Sequence, residues 1–142
     1  MPEGVGKRKL LALDLGERRI GLAVTDAAGT FVFPAGYIVR TKLQQDISQV
    51  LDVAREREVQ AILVGMPYTL AGETGTQARR AQGFIGYLRR GTGLPIHEVD
   101  ERYTSVEAEA LLREAGRQPS RDKATVDEIA AALILQRYLD QT

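Results

Sequence analysis

Four acidic residues draw attention because of where they fall: Asp14, the adjacent pair Asp100-Glu101, and Asp127. Asp14 interrupts LLALDL, a run whose apolar character otherwise fits a central strand of a sheet. A carboxylate buried there is costly unless something positive pairs with it. Arg18 and Arg19, in the turn that follows, are one source of that charge. A metal ion is the other. Asp100-Glu101-Arg102 stands at the end of the last predicted strand, where a parallel strand presents side chains to a cleft beyond its carboxyl end. Asp127 falls in the first turn of the last predicted helix. Oxygen ligands without histidine or cysteine suit Mg²⁺ or Mn²⁺. Two such ions ~3.5–4 Å apart, bridged by a buried aspartate, drive in-line hydrolysis of a phosphodiester.

Each position also has a plainer reading. Asp127 would stabilise a helix N-terminus by ~0.3–1 kcal/mol through the dipole, with no further role. Glu128 reads as the capping-box partner of Thr125 rather than as a ligand. Asp100 or Glu101 would pair with Arg102 or cap the helix that follows. The glycine-rich loop of residues 65–75 lacks the Walker spacing and its lysine. It reads better as a flexible lip beside a cleft, with Arg79 and Arg80 available to a nucleic-acid backbone. Tyr103 has two readings, a base-stacking platform and ordinary packing at a helix entry. His97 reads as structural, Asp26 as a turn residue, and Arg89-Arg90 as a solvated helix end.

The elements that must position these residues follow from periodicity. Strands are predicted over residues 9–15, 20–25, 31–39, 59–65 and 95–99. In the first, Leu11, Leu13 and Leu15 share one face, and Leu10, Ala12 and Asp14 the other. Pro34 and Gly36 mark the third as an edge strand. Leu43, Ile47, Val50, Leu51 and Ala54 make one face of a helix over 41–58. Three capping boxes, Thr74 with Gln77, Thr104 with Glu107 and Thr125 with Glu128, open three more helices. Ala78, Ala81, Ile85 and Leu88 face inward from the first of these, and Ile129, Leu133, Ile134 and Tyr138 from the last. Gly116 ends the third helix, and 117–123 is a polar, mobile loop. The order implies an α/β fold: a mixed five-stranded sheet of three antiparallel hairpin strands plus two parallel strands, with helices on both faces. Right-handed crossovers would put strands four and five beside strand one and make it central.

The chain has 142 residues, 44% of them apolar, which suits one domain over 9–142 behind a loose tail over 1–8. Formal charge is zero, so nucleic acid would have to be held by local basic clusters rather than a global field. Zero cysteines exclude disulfides, thiolate zinc sites and cysteine nucleophiles, and suit a reducing compartment. One histidine excludes a histidine-based zinc motif. No apolar run approaches a membrane span and no signal-peptide pattern opens the chain, so the expected location is the cytoplasm.

Taken together, LALDLGERRIGLAVTD, ILVGMP followed by GETG, VDERYTS and VDEIAAALILQRYLD resemble the motifs of the YqgF (RuvX) family of the ribonuclease H-like superfamily, over about Lys9 to Asp140. The resemblance implies a ribonuclease H-like fold and metal-binding, catalytic carboxylates at Asp14, Glu101 and Asp127, with Asp100 the competitor to Glu101. It also implies two biological roles, processing the 5′ end of precursor 16S ribosomal RNA and resolving Holliday junctions. Related resolvases often carry a fourth carboxylate where this chain has Ala130, and an asparagine commonly appears where it has Tyr68-Thr69-Leu70.

The expected activity is that of a divalent-metal-dependent endonuclease using two Mg²⁺ or Mn²⁺ ions on structured nucleic acid, either pre-rRNA or branched DNA. Arg18, Arg19, Arg79, Arg80, Arg102 and Lys123 would contact the nucleic acid. Junction resolution would further call for a homodimer, which supplies two sites related by a two-fold axis. Two rival readings are a catalytically silent nucleic-acid-binding module and a nucleotide-binding ATPase-like domain. The latter rests on an Asp-x-Gly hairpin that also opens actin-like phosphate sites.

Overall fold

A computed structural model describes residues 8–68, 71–102 and 104–141. Residues 1–7 of the expected tail, Thr69-Leu70 of the expected lip, and Tyr103 lie outside the described residues. Five strands, β1 (Leu10–Leu15), β2 (Arg19–Thr25), β3 (Val32–Val39), β4 (Ala61–Met66) and β5 (Ile96–Asp100), form one sheet in the order β3-β2-β1-β4-β5. β1 is central, antiparallel to β2 and parallel to β4, as the crossover rule requires. β3 lies on an edge, and its pairing with β2 shifts register between Gly21 and Ala23.

Alternation along β1 divides the core in two. Leu11 and Leu13 pack with Val50 and Ala54 of α1 (Leu43–Glu56) and with Ala78, Ala81, Phe84, Ile85 and Leu88 of α2 (Thr76–Gly91). Leu10 and Ala12 face Ala131, Ile134 and Leu135 of α4 (Lys123–Asp140) on the other side. The remaining helix, α3 (Thr104–Glu114), packs on α4. Asp14 has the parity of Leu10 and Ala12, so its side chain emerges beneath α4 and not beneath α1 and α2.

The helix starts differ from those expected, and three of the would-be capping side chains bond elsewhere. α1 begins after Lys42, α2 after Gly75 and α4 after Asp122, none with a side-chain cap. The Thr104 hydroxyl donates to the Glu101 carbonyl at 2.8 Å, and Glu107 accepts from Arg137 instead of closing a box. Glu128 accepts from the Gly36 amide of β3 at 2.9 Å, and Asp127 sits beyond the first turn of α4, where the dipole gains little. Inward faces also shift. Leu43 is exposed while Asp46 is buried, Phe84 joins the α2 face, and Ala130, Ala131, Ile134 and Leu135 replace Ile129 and Leu133 as the buried stripe of α4. Residues 118–122 fold into hydrogen-bonded turns, with Arg117 paired to Asp122 at 2.7 Å.

Small residues let α4 lie close on the sheet. Gly21 stands opposite Asp14 on β2, and a Cβ there would come within 2.1 Å of the Asp127 carbonyl oxygen. The obstacle is backbone, so it cannot rotate away. Gly21→Ala should therefore destabilise the protein by ~1–3 kcal/mol or more, as overpacking does. Denaturant melts of the two proteins measure it, and an unchanged midpoint would mean that α4 does not sit this close.

Candidate active site

The end of β1 carries a carboxyl group into a nearly closed space. Asp14 is 7% exposed, and the Glu101 side chain reaches it from the loop after β5. Gly65 of β4 makes that reach possible: a Cβ there would lie 2.8 Å from Oε2 of Glu101 and 2.4 Å from Cδ1 of Ile134. Glycines thus flank Asp14 on both neighbouring strands. One admits Glu101 and the other admits the backbone of Asp127.

Two acids meet here. Burial pushes the Asp14 carboxyl up, the charge of Asp127 adds to this, and the hydrogen bond shared with Glu101 opposes it. Glu101 is raised further, by burial first and then by the charge of Asp14 and the bond shared with it. A hydrogen bond between two carboxyl groups needs a proton on one of them. The pair therefore carries at most one full negative charge at neutral pH in the metal-free protein. No N–H or hydroxyl donor among the described residues reaches the buried Oε2 of Glu101. An oxygen with no donor, beside a second buried acid, is a donor set whose chemistry fits a hard cation.

Asp127 stands at the rim. Its Oδ2 accepts from Nε of Arg19 at 3.0 Å. Burial raises its carboxyl above the ordinary range, against the pull of the Arg19 guanidinium. With Asp127 so engaged, no group of three carboxylates among the described residues is close enough to hold one ion. Asp14 and Glu101 fit a hard cation as two buried oxygen donors, and Asp127 can join them if its side chain turns from Arg19. Asp100 is occupied in another way. Burial raises its carboxyl, but hydrogen bonds from Arg102 outweigh this and hold it below the usual range. Arg102 closes on both Asp100 oxygens, with its Nη2 2.8 Å from Oδ2. The geometry therefore favours Glu101 over Asp100 as the second donor, and Arg102 uses Nε and Nη2 in the Asp100 ion pair.

Two grooves meet at this point. One, of about 870 Å³, runs past Asp14, Glu101 and Asp127 and is also lined by Arg40, Thr41, Gln77, Arg80 and Tyr87. The second, of about 900 Å³, shares Gly16, Glu17 and Asp127 and leads past Arg18, Arg19, Arg113, Arg117 and Lys123. Arg18, Arg19, Arg80 and Lys123 thus line the grooves as the sequence suggested, and Arg79 does not.

Reading along the chain missed one supporting residue. Arg137, in the last turn of α4, donates through Nη1 to the carbonyls of Asp100 at 2.8 Å and Arg102 at 3.2 Å. Through Nη2 it reaches Glu107 at 3.1 Å. It clamps the backbone on both sides of Glu101, and its charge draws the Glu101 carboxyl down. No sequence signal separates it from any other arginine near a helix end. His97 is structural as expected: it stacks on Tyr138 at 5.8 Å, and burial, then Arg8 and Arg89, lower its pKa. Asp26 is likewise a turn residue, its Oδ1 accepting from the Thr30 amide at 2.8 Å.

The profile of the RuvX family, described as Holliday junction resolvase, matches residues 8–141. This chain belongs to that family. A Synechococcus sp. protein named as a candidate pre-16S rRNA nuclease is 45% identical over 92% of this chain and 88% of its own length. A Chloroflexus aurantiacus protein of the same name is 43% identical over 92% of this chain and 86% of its own. The fold matches T. thermophilus RuvC in complex with a Holliday junction, with a TM-score of 0.58 at 14% identity over 94% of this chain and 95% of that one. It also matches the fowlpox virus resolvase bound to junction DNA, with a TM-score of 0.60 at 7% identity over 94% and 97% of the two chains. The α/β fold of this RuvX-family chain is therefore the ribonuclease H-like one, as expected.

Two outcomes follow from the geometry. A carboxyl raised by folding stabilises the protein below its unfolded pKa, and the contribution is lost as pH rises through the folded value. For Asp14 the window runs from the ordinary 3.8 to about 6. The melting temperature of metal-free protein should fall across it, Asp14→Asn should remove much of that fall, and added Mg²⁺ or Mn²⁺ should restore stability at the upper end. Parallel profiles for the two proteins would contradict the buried pair. Separately, Arg137→Met keeps the packed stem and strands two carbonyls, a loss of ~1–3 kcal/mol for each that stays buried without a donor. Its melting point should drop and its cleavage rate should fall with little change in KM. Unaltered kinetics would show that the clamp does not position Glu101.

Proposed function

We propose that this RuvX-family nuclease cuts phosphodiester bonds with the help of Mg²⁺ or Mn²⁺ held by Asp14 and Glu101, with Asp127 completing the set. The observation that carries the reading is the pairing of buried Asp14 with Glu101, which leaves an oxygen of Glu101 without a donor among the described residues, beside a groove that Arg40 and Arg80 also line. When bound, one or two such ions supply an activated water and stabilise the leaving 3′ oxygen. The chain's own residues do the rest. Asp14, on the central strand, and Glu101, under the Arg137 clamp, hold their oxygens in a fixed, dry geometry. Arg19 keeps Asp127 oriented until it is needed, and Arg18, Arg80 and Lys123 lie along the path of a phosphate backbone.

The substrate is structured nucleic acid. Of the two named among the relatives, precursor 16S rRNA stands first, because the chains at 43–45% identity are named for it. The junction-bound resolvases share only the fold with this chain. Junction resolution would in addition require a two-fold dimer.

Asp14→Asn should abolish Mn²⁺-dependent cleavage, by at least about 100-fold, the upper end for residues that merely support a metal ligand. The variant should still melt cooperatively. A panel of precursor rRNA, duplex and four-way junction, cut by the wild type with Mn²⁺, assigns the substrate. Full activity in the variant would remove the site. Nucleic-acid binding without cleavage of any substrate would favour the silent binding module.

A further inference from the structure

Arg40, the residue after β3, lines the same groove as Asp14 and Glu101. Its side chain is held on three sides. Nε donates to Oδ2 of Asp46 at 3.4 Å, Nη1 donates to the Gly16 carbonyl at 2.8 Å, and Cζ lies 5.6 Å from the centre of the Phe84 ring. The anchor is itself fixed: Asp46 is 1% exposed, and its other oxygen accepts from the Thr41 amide at 2.9 Å. These contacts use two of the five N–H groups of a guanidinium. The other three belong to a side chain that is 28% exposed and borders the groove. Gly16 is two residues beyond Asp14, so the bond to its carbonyl ties the guanidinium to the turn that leaves the carboxylate.

Neutralising Asp46 does not by itself account for this arrangement. The ion pair is the longest of the anchoring polar contacts, and the shortest goes to the β1–β2 turn. A guanidinium fixed by packing and by its own anchors loses little freedom when it takes an anion. Its planar fork matches two oxygens of a phosphate. Arg80 lines the same groove and adds charge of the same sign.

We propose that Arg40 heads a phosphodiester-binding subsite beside the carboxylate pair, gripping a phosphate of the nucleic-acid strand next to the one that is cut. The inference deepens the nuclease reading and rests on it for the path of the strand. Asp46 and Phe84 act through Arg40, as positioning residues.

The test is binding of a fluorescently labelled RNA hairpin with a single-stranded 5′ extension, followed by anisotropy across a salt series. The host is Asp14→Asn, which holds off cleavage. Against this host, the double variant Arg40→Gln/Asp46→Asn removes the guanidinium without stranding a buried charge. It should bind roughly tenfold more weakly, and its slope of log affinity against log salt should be shallower by about 0.7–0.9, the value for one phosphate contact. Asp46→Asn alone keeps the guanidinium and should keep the slope. Arg40→Met/Asp46→Leu, an apolar pair of similar volume, serves if the first double variant does not melt cooperatively. Unchanged affinity and slope in a folded double variant would overturn the subsite. Wild-type cleavage of the same RNA with Mn²⁺ is scored separately. A slope effect without cleavage sinks the nuclease reading and leaves the subsite standing, whereas cleavage with no slope effect does the reverse.

Discussion

The site depends on the forced proximity of Asp14 and Glu101. Neither position is costly alone: a carboxyl group at a strand end can turn to water or to an arginine. Beneath α4, water is excluded, and the nearby arginines are directed elsewhere. Arg19 goes to Asp127, Arg102 to Asp100, and Arg137 to backbone carbonyls. The two acids are left to each other, and a proton between them is the only internal remedy. Two acids placed this close, with the nearby arginines engaged elsewhere, make an oxygen-rich donor set of the kind that suits a hard cation.

Much of the surrounding sequence keeps that pair in place. Gly21 and Gly65 remove side chains from the two strands beside Asp14, so that α4 and Glu101 can approach from above. Glu128 ties α4 to the edge strand through the Gly36 amide, and Arg137 ties its far end to the loop that carries Glu101. α4 is therefore less a cover for the sheet than a frame for the site. Its first half presents Asp127, and its second half fixes the opposite ligand.

The basic residues divide by what holds them. Arg19, Arg102 and Arg137 are engaged by acids or carbonyls of the protein and shape the site from within. Arg18, Arg80 and Lys123 line the grooves. Arg40 does both, with one edge fixed to Asp46 and Gly16 and donors remaining for an anion. A chain of zero net charge can thus still offer a locally basic stretch, with Arg18, Arg19, Arg113, Arg117 and Lys123 along one groove, while the groove beside Asp14 and Glu101 is lined by more acids than bases.

Strand order, the central place of β1 and the face on which Asp14 lies were all legible in the sequence, because alternation and the handedness of crossovers are local rules. The carboxylates were legible for a similar reason: an aspartate within an apolar strand is conspicuous wherever it occurs. The choice between Asp100 and Glu101 was not. It turns on Arg102 folding back onto Asp100 and on the space above Gly65, and neither is a property of neighbours in sequence. The capping boxes failed for the same reason, since Thr104, Glu107 and Glu128 each found a stronger partner across the fold. Arg40 and Arg137 were invisible because an arginine near the end of an element looks alike whether it faces solvent or clamps a site. The sequence by itself determined which face of which strand carries the acid. Only the tertiary structure decided which charges would be satisfied and which left wanting, because long-range packing chooses the partner of every buried polar group.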